Sequence, residues 1–302
     1  MIVGERLSGT TMANGTKRTH FNPAFWLAAW SPEFGRRPSR DCHVYALYVR
    51  TGTVARITVE NAHFEKGLGR AIFPVTDVKQ IIDLDGLSAL EREEMLAEID
   101  AAGDLTLDIE SVFTSIEQSS PFEHLQAAVA DQRIDTWDRK ANIAAFVAIQ
   151  HLRNPRQWNV LLRWREERMG KPRWESLARL MNPNTWRELI GGLANQLSES
   201  RWVIHASRED TFPIGDTTVL VDSQGNRAWT PLSPKLLVEI CLDQPAAIPA
   251  VNVTSNVNAV EVKKLNYIRL LAAQSSSMIL FSDATLLRDI AESYELRVLR
   301  RQ

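Results

Sequence analysis

Residues 217–242 read TTVLVDSQGNRAWTPLSPKLLVEICL, and the alternation of apolar and polar positions along them decides the fold class. A period of two places every second side chain on one face, which is the pattern of a strand with one buried side. Gln224-Gly225-Asn226 supplies the turn residues between two such runs. RWVIHAS, residues 201–207, alternates in the same way just upstream.

Before Ser200 the period changes to that of helices. Ser88 with Glu91 forms a capping box that predicts a helix to about Ala102, stopped by Gly103. Further helices are predicted over 106–118, from Ser120-Pro121, over about 138–168 with a kink near Pro155, over 174–181 and over 185–197. Strands return in the N-terminal third, where CHVYALYVRTGTVARITVE folds around Thr51-Gly52 as a hairpin. A helix over 257–274, the strand MILF and a last helix from Asp283 close the chain. Strand-rich ends around a mainly helical middle make an α+β protein. No Pro/Gly/Ser-rich linker interrupts it, so a loose tail over 1–16 and a single α+β domain over 17–302 are expected.

Composition narrows the function classes. With 302 residues, 44% of them hydrophobic, the chain can bury a large core near the upper size of one domain. A net charge of -2 gives no global attraction to nucleic acid or to an anionic membrane. No apolar run approaches the ~20 residues of a membrane-spanning helix, and the N-terminus lacks the apolar core of a signal peptide. Two cysteines, Cys42 and Cys241, make no disulfide framework, so reduced thiols and a bacterial-style cytoplasmic setting are expected.

Several polar residues occupy positions that periodicity assigns to the interior. In ANIAAFVAIQHLRNP, Gln150 shares the stripe of Ile143, Phe146 and Val147, and Arg153 extends it by a turn. Such groups cost free energy unless satisfied, either by backbone carbonyls or a carboxylate or in a site. Glu110, Phe113 and Glu117 line another helical face; turned inward, Glu117 is a partner for Arg153, a metal ligand or a general base. Asp216 follows Gly215 at the mouth of an apolar strand, which suits both a turn and an active-site acid. Residues 153–173 carry Arg153, Arg156, Arg163, Arg165, Arg168, Lys171 and Arg173 with Trp158 and Trp164 between them. That run is the best candidate for a nucleic-acid segment, although an amphipathic helix with its tryptophans inward and its arginines solvated is the preferred reading. Phosphate-loop, dinucleotide, nucleophile-elbow and His-Glu-x-x-His motifs are all missing.

THFNPAFWLAAW, residues 19–30, adds His20 two residues ahead of a helix start at Asn22-Pro23, with Asn22 the expected N-cap. His20, Phe21, Pro23, Phe25, Trp26 and Leu27 then fall in order with Ile116-Glu117, with Gln150, Arg153 and Pro155, with Phe212, Asp216 and Val219, with Ser233-Pro234 and with Leu265-Asn266. In this order the chain resembles the bacterial domain-of-unknown-function-4238 family, departing from it where Thr217 and Thr218 replace Asn-Pro. The family's activity is unknown, so the resemblance implies one domain and one shared site, formed by His20, Glu117, Gln150, Arg153 and Asp216. The mixture of acid, base and cation predicts a hydrolase, with a metal-dependent nuclease as its sharpest form. His20, Glu117 and Asp216 are then candidate ligands for a divalent metal ion, and Arg153 stabilises an anionic transition state. The alternative is a non-catalytic module that binds a ligand or a partner protein, with bacterial defence as its setting.

Overall fold

The computed structural model describes residues 18–20, 22–66, 70–117, 120–153, 174, 182–245, 250–254 and 259–299. Along the chain run β1 (Arg18–His20), α1 (Ala24–Leu27), β2 (His43–Tyr48), β3 (Thr53–Thr58), β4 (Phe64–Lys66), β5 (Arg70–Phe73), α2 (Val75–Ile81), α3 (Ala89–Ala102) and β6 (Leu105–Asp108). Then come α4 (Ile109–Glu117), α5 (Ser120–Asp131), α6 (Trp137–Arg153), α7 (Pro183–Glu199), β7 (Ser200–Ser207), β8 (Ile214–Gly215), β9 (Leu220–Val221) and β10 (Arg227–Ser233). The last elements are β11 (Leu236–Pro245), β12 (Ala250–Thr254), α8 (Ala259–Ser275), β13 (Met278–Phe281) and α9 (Ala284–Leu299). The fold is α+β. No helix among the described residues is long and apolar enough to cross a membrane.

The chain gathers into two units. The first comprises Met1–Thr19, Glu65–Ser115 and Pro155–Ile190. Its α3 starts at the expected capping box: Ser88 Oγ accepts from the Glu91 backbone N at 3.3 Å, and Glu91 Oε2 accepts from the Ser88 N at 2.8 Å. Val78, Ile82, Ile99 and Trp174 form its buried cluster, with Met95, Leu96 and Leu105 against it. Residues 106–108, predicted as the start of a helix, are instead part of β6, and α4 begins only at Ile109. Leu105 and Leu107 alternate with Thr106 and Asp108, and β6 pairs antiparallel with β5 through Phe73↔Leu105 and Arg70↔Asp108. A partner more than thirty residues away therefore overrides local helix propensity.

The second unit comprises His20–Phe64, Ile116–Asn154 and Gly191–Gln302. It holds a four-stranded antiparallel sheet, ordered β3-β2-β13-β8, in which the Thr51-Gly52 hairpin forms as expected. It also holds a five-stranded sheet, ordered β12-β7-β11-β10-β9, antiparallel except where β12 joins β7. Register across three strands aligns Trp202, Ile240 and Ala228, and next to them Ile204, Val238 and Thr230; all six are buried.

Aromatic residues and one lysine close over that face. Trp26 donates its indole N–H to the Leu232 carbonyl at 2.8 Å, and Trp30 donates to Phe212 O at 2.7 Å. Trp26 also meets Phe146 of α6 edge-on at 4.9 Å. The indoles of residues 19–30 thus bury large rings while satisfying their polar edge, as buried tryptophans must. Lys140 is fully buried beneath Trp137 and Trp202, its Nζ donating to Ser200 O at 2.7 Å. Burial pushes its pKa down to about 8.

Candidate functional site

The short helix α1 is not capped by Asn22. Pro23 takes the N-cap position without a side-chain bond, and the Asn22 amide turns inward instead. Its Nδ2 lies 3.2 Å from Gly215 O and 2.8 Å from His63 Nδ1. The carbonyl can only accept, so this atom is the donating nitrogen. It follows that His63 Nδ1 accepts as well, and that the proton of a neutral imidazole sits on Nε2. Tertiary acceptors outcompete the helix end because they are buried, where an unmade hydrogen bond costs most. Asn22 and His63 are 1% and 2% exposed, and Asn22 Oδ1 is a buried acceptor without a hydrogen-bond partner. His63 also holds a φ of 46°, a left-handed conformation that costs a side-chain-bearing residue about 1–2 kcal/mol.

Gly215 also packs closely against the turn ahead of β13. A Cβ there would stand 2.1 Å from Ser276 Oγ, so only glycine fits between β8 and the turn ahead of β13. The next residue, Asp216, accepts from the Ser277 backbone N at 3.0 and 3.1 Å and from the Ser277 hydroxyl. Thr217 Oγ1 donates to Ser275 O at 2.7 Å in the same turn. The bond from Asn22 to Gly215 therefore sets the segment carrying His20 beside the segment carrying Asp216.

The α6 stripe is inward, as its spacing predicts. Ile143, Phe146, Val147, Gln150 and Arg153 are all at most 2% exposed. Phe146 meets Trp26, and Gln150 follows Phe146 by about one helical turn. His20 ends β1 and Glu117 ends α4, but both side chains lie outside the described residues, as does the basic run beyond Arg153. Among the described residues no three His, Cys, Asp or Glu side chains gather as a metal site, and both Asp216 oxygens are engaged by Ser277. Of the metal ligands expected, only Asp216 has side-chain hydrogen bonds given among the described residues, and these hold the Ser277 turn. Asn22→Ala removes the donor to two buried acceptors and is expected to cost about 2–3 kcal/mol in a urea titration; an unchanged midpoint would mean that the pair is open to water.

A second polar cluster lies on the other face of the five-stranded sheet. Glu239, 1% exposed, accepts from Arg227 at 2.6 Å through Oε1; through Oε2 it meets His205 at 2.9 Å and Lys264. Burial alone would raise the pKa of this carboxyl. The hydrogen bonds from His205 and Lys264 and the charges around it outweigh burial and hold it at about 2. A glutamate in the apolar run KLLVEICL was the legible signal for this cluster, whereas nothing local marks His63.

No protein-family model matches the chain, and no curated protein or solved structure is similar to it.

Proposed function

We propose that the second unit is a hydrolase acting on an anionic ester, a phosphodiester being the best fit. The observation that carries this reading is a guanidinium and an amide, Arg153 and Gln150, buried together on the α6 face that contacts α1. The charge of a guanidinium and its planar fork of donors favour anionic groups, and a transition state that gathers charge is one such group. In this reading Arg153 binds the developing charge and Gln150 orients the ester. A water oxygen forms the new bond to phosphorus as the bond to the departing oxygen breaks, and the proton that the water loses ends on that departing oxygen. His20 enters through its resemblance to the family motif and its position two residues before Asn22. No step is assigned to a metal ion.

A panel of phosphodiesters, phosphomonoesters and carboxylic esters, with DNA and RNA among them, tests the proposal on purified protein with and without magnesium or manganese. Turnover of an anionic ester that falls by about two to three orders of magnitude in Arg153→Lys supports it. Wild-type inactivity across the panel, or full activity in that variant, ends it. A second reading, a non-catalytic binding module, is favoured by Asp216, whose carboxylate serves the Ser277 turn.

A further inference from the structure

The Glu239 cluster is more than a neutralised carboxylate. Register places Trp229 directly opposite Glu239, with Arg227 opposite Cys241 on the same face. One turn beyond Lys264, α8 brings Tyr267 onto Trp229, ring centroids 5.8 Å apart and edge-on. Arg227, Lys264 and Tyr267 reach solvent, with 47% and 35% of the two cationic side chains accessible. Glu239 neutralises one of them and also accepts from His205 Nε2. Nearby, Asp243 and Arg201 carry opposite charges, and Arg201 is hydrogen-bonded to Gln244, so the patch stays net positive. Behind Tyr267, the Trp229 indole Nε1 is buried without a hydrogen-bond partner. Its edge-on contact with Tyr267 makes that N–H a reporter of whatever stacks on the accessible ring.

We propose that this face binds a nucleotide, its phosphate held by Arg227 and Lys264 and its base stacked on Tyr267. Anchoring on Glu239 preorganises the two cations, which lowers the ordering cost of gripping a phosphate. An aromatic ring serves any base, since every base presents a π face. The site uses none of the residues assigned to hydrolysis, so it stands or falls separately. A free mononucleotide and a single-stranded nucleic acid share this chemistry.

Calorimetric titration with adenosine monophosphate, adenosine, inorganic phosphate and a short single-stranded oligodeoxyadenylate tests it. The Trp229 indole N–H resonance, identified through Trp229→Phe, is followed alongside. The mononucleotide is expected to bind and to shift that resonance, with adenosine and phosphate each weaker. Tyr267→Ala, at an accessible position, should weaken binding about ten-fold or more, the worth of one stacked base. Arg227→Gln, which leaves His205 and Lys264 on Glu239, should weaken binding and flatten its salt dependence. An oligonucleotide that binds more tightly, with a steep salt dependence, identifies a nucleic-acid strand as the source; equal affinity identifies a free nucleotide. Absence of heat and of any resonance shift with both probes overturns the proposal. So does unchanged affinity in folded Tyr267→Ala, or phosphate binding as tightly as the nucleotide.

Discussion

Arg153→Ala is expected to lower the melting temperature by on the order of 10 °C, corresponding to a loss of about 3–5 kcal/mol. The guanidinium sits on the inward stripe of α6, with Phe146, Val147 and Gln150 on the preceding turns, and only 2% of the residue is exposed. Its removal leaves the groups that it satisfies without their donor and opens a void among well-packed side chains. Arg153→Lys should lose less, because charge and stem volume persist while the planar fork of donors does not. Differential scanning calorimetry of both variants, with circular dichroism at low temperature to establish folding, gives the comparison. A melt of Arg153→Ala indistinguishable from the parent would show that the guanidinium is not held in the interior. The same result would remove the observation on which the hydrolase proposal rests.

Acid stability is expected to depend on Glu239 more than on an ordinary surface carboxylate. In the folded protein its pKa is about 2, against 4.5 for the free side chain, so the unfolded chain binds the proton more readily. The contribution is therefore fully present above pH 5 and is lost as the pH falls toward 2, amounting to about 3 kcal/mol. Glu239→Gln should flatten the stability curve across that window. At neutral pH the same change costs about 2–4 kcal/mol, moderated because Arg227 and Lys264 can recover water. Urea titrations of both proteins between pH 2 and 7 measure the difference. Parallel curves would show that other carboxylates carry the acid response.

Much of the secondary structure was legible because its causes are local. The Ser88–Glu91 box starts α3 as its spacing requires, and KLLVEICL and MILF become β11 and β13. The inward stripe of α6, Gln150 and Arg153 included, follows from 3.6-residue periodicity alone. Elements whose stability comes from a distant partner were not legible. LTLD in β6 and AVNVT in β12 do alternate, but runs this short become strands only because another strand presents an unpaired edge.

The site divides in the same way. Sequence by itself determined the α+β class and the inward polar residues of α6, because each depends on side-chain type at a regular spacing. Only the tertiary structure decided that Asn22 bonds His63 and Gly215 rather than capping α1, and that Asp216 serves the Ser277 turn. It alone joined His205, Arg227 and Lys264 on the single carboxylate of Glu239. A hydrogen-bonding side chain takes the partner whose loss would cost most, and burial sets that cost only once distant segments have met.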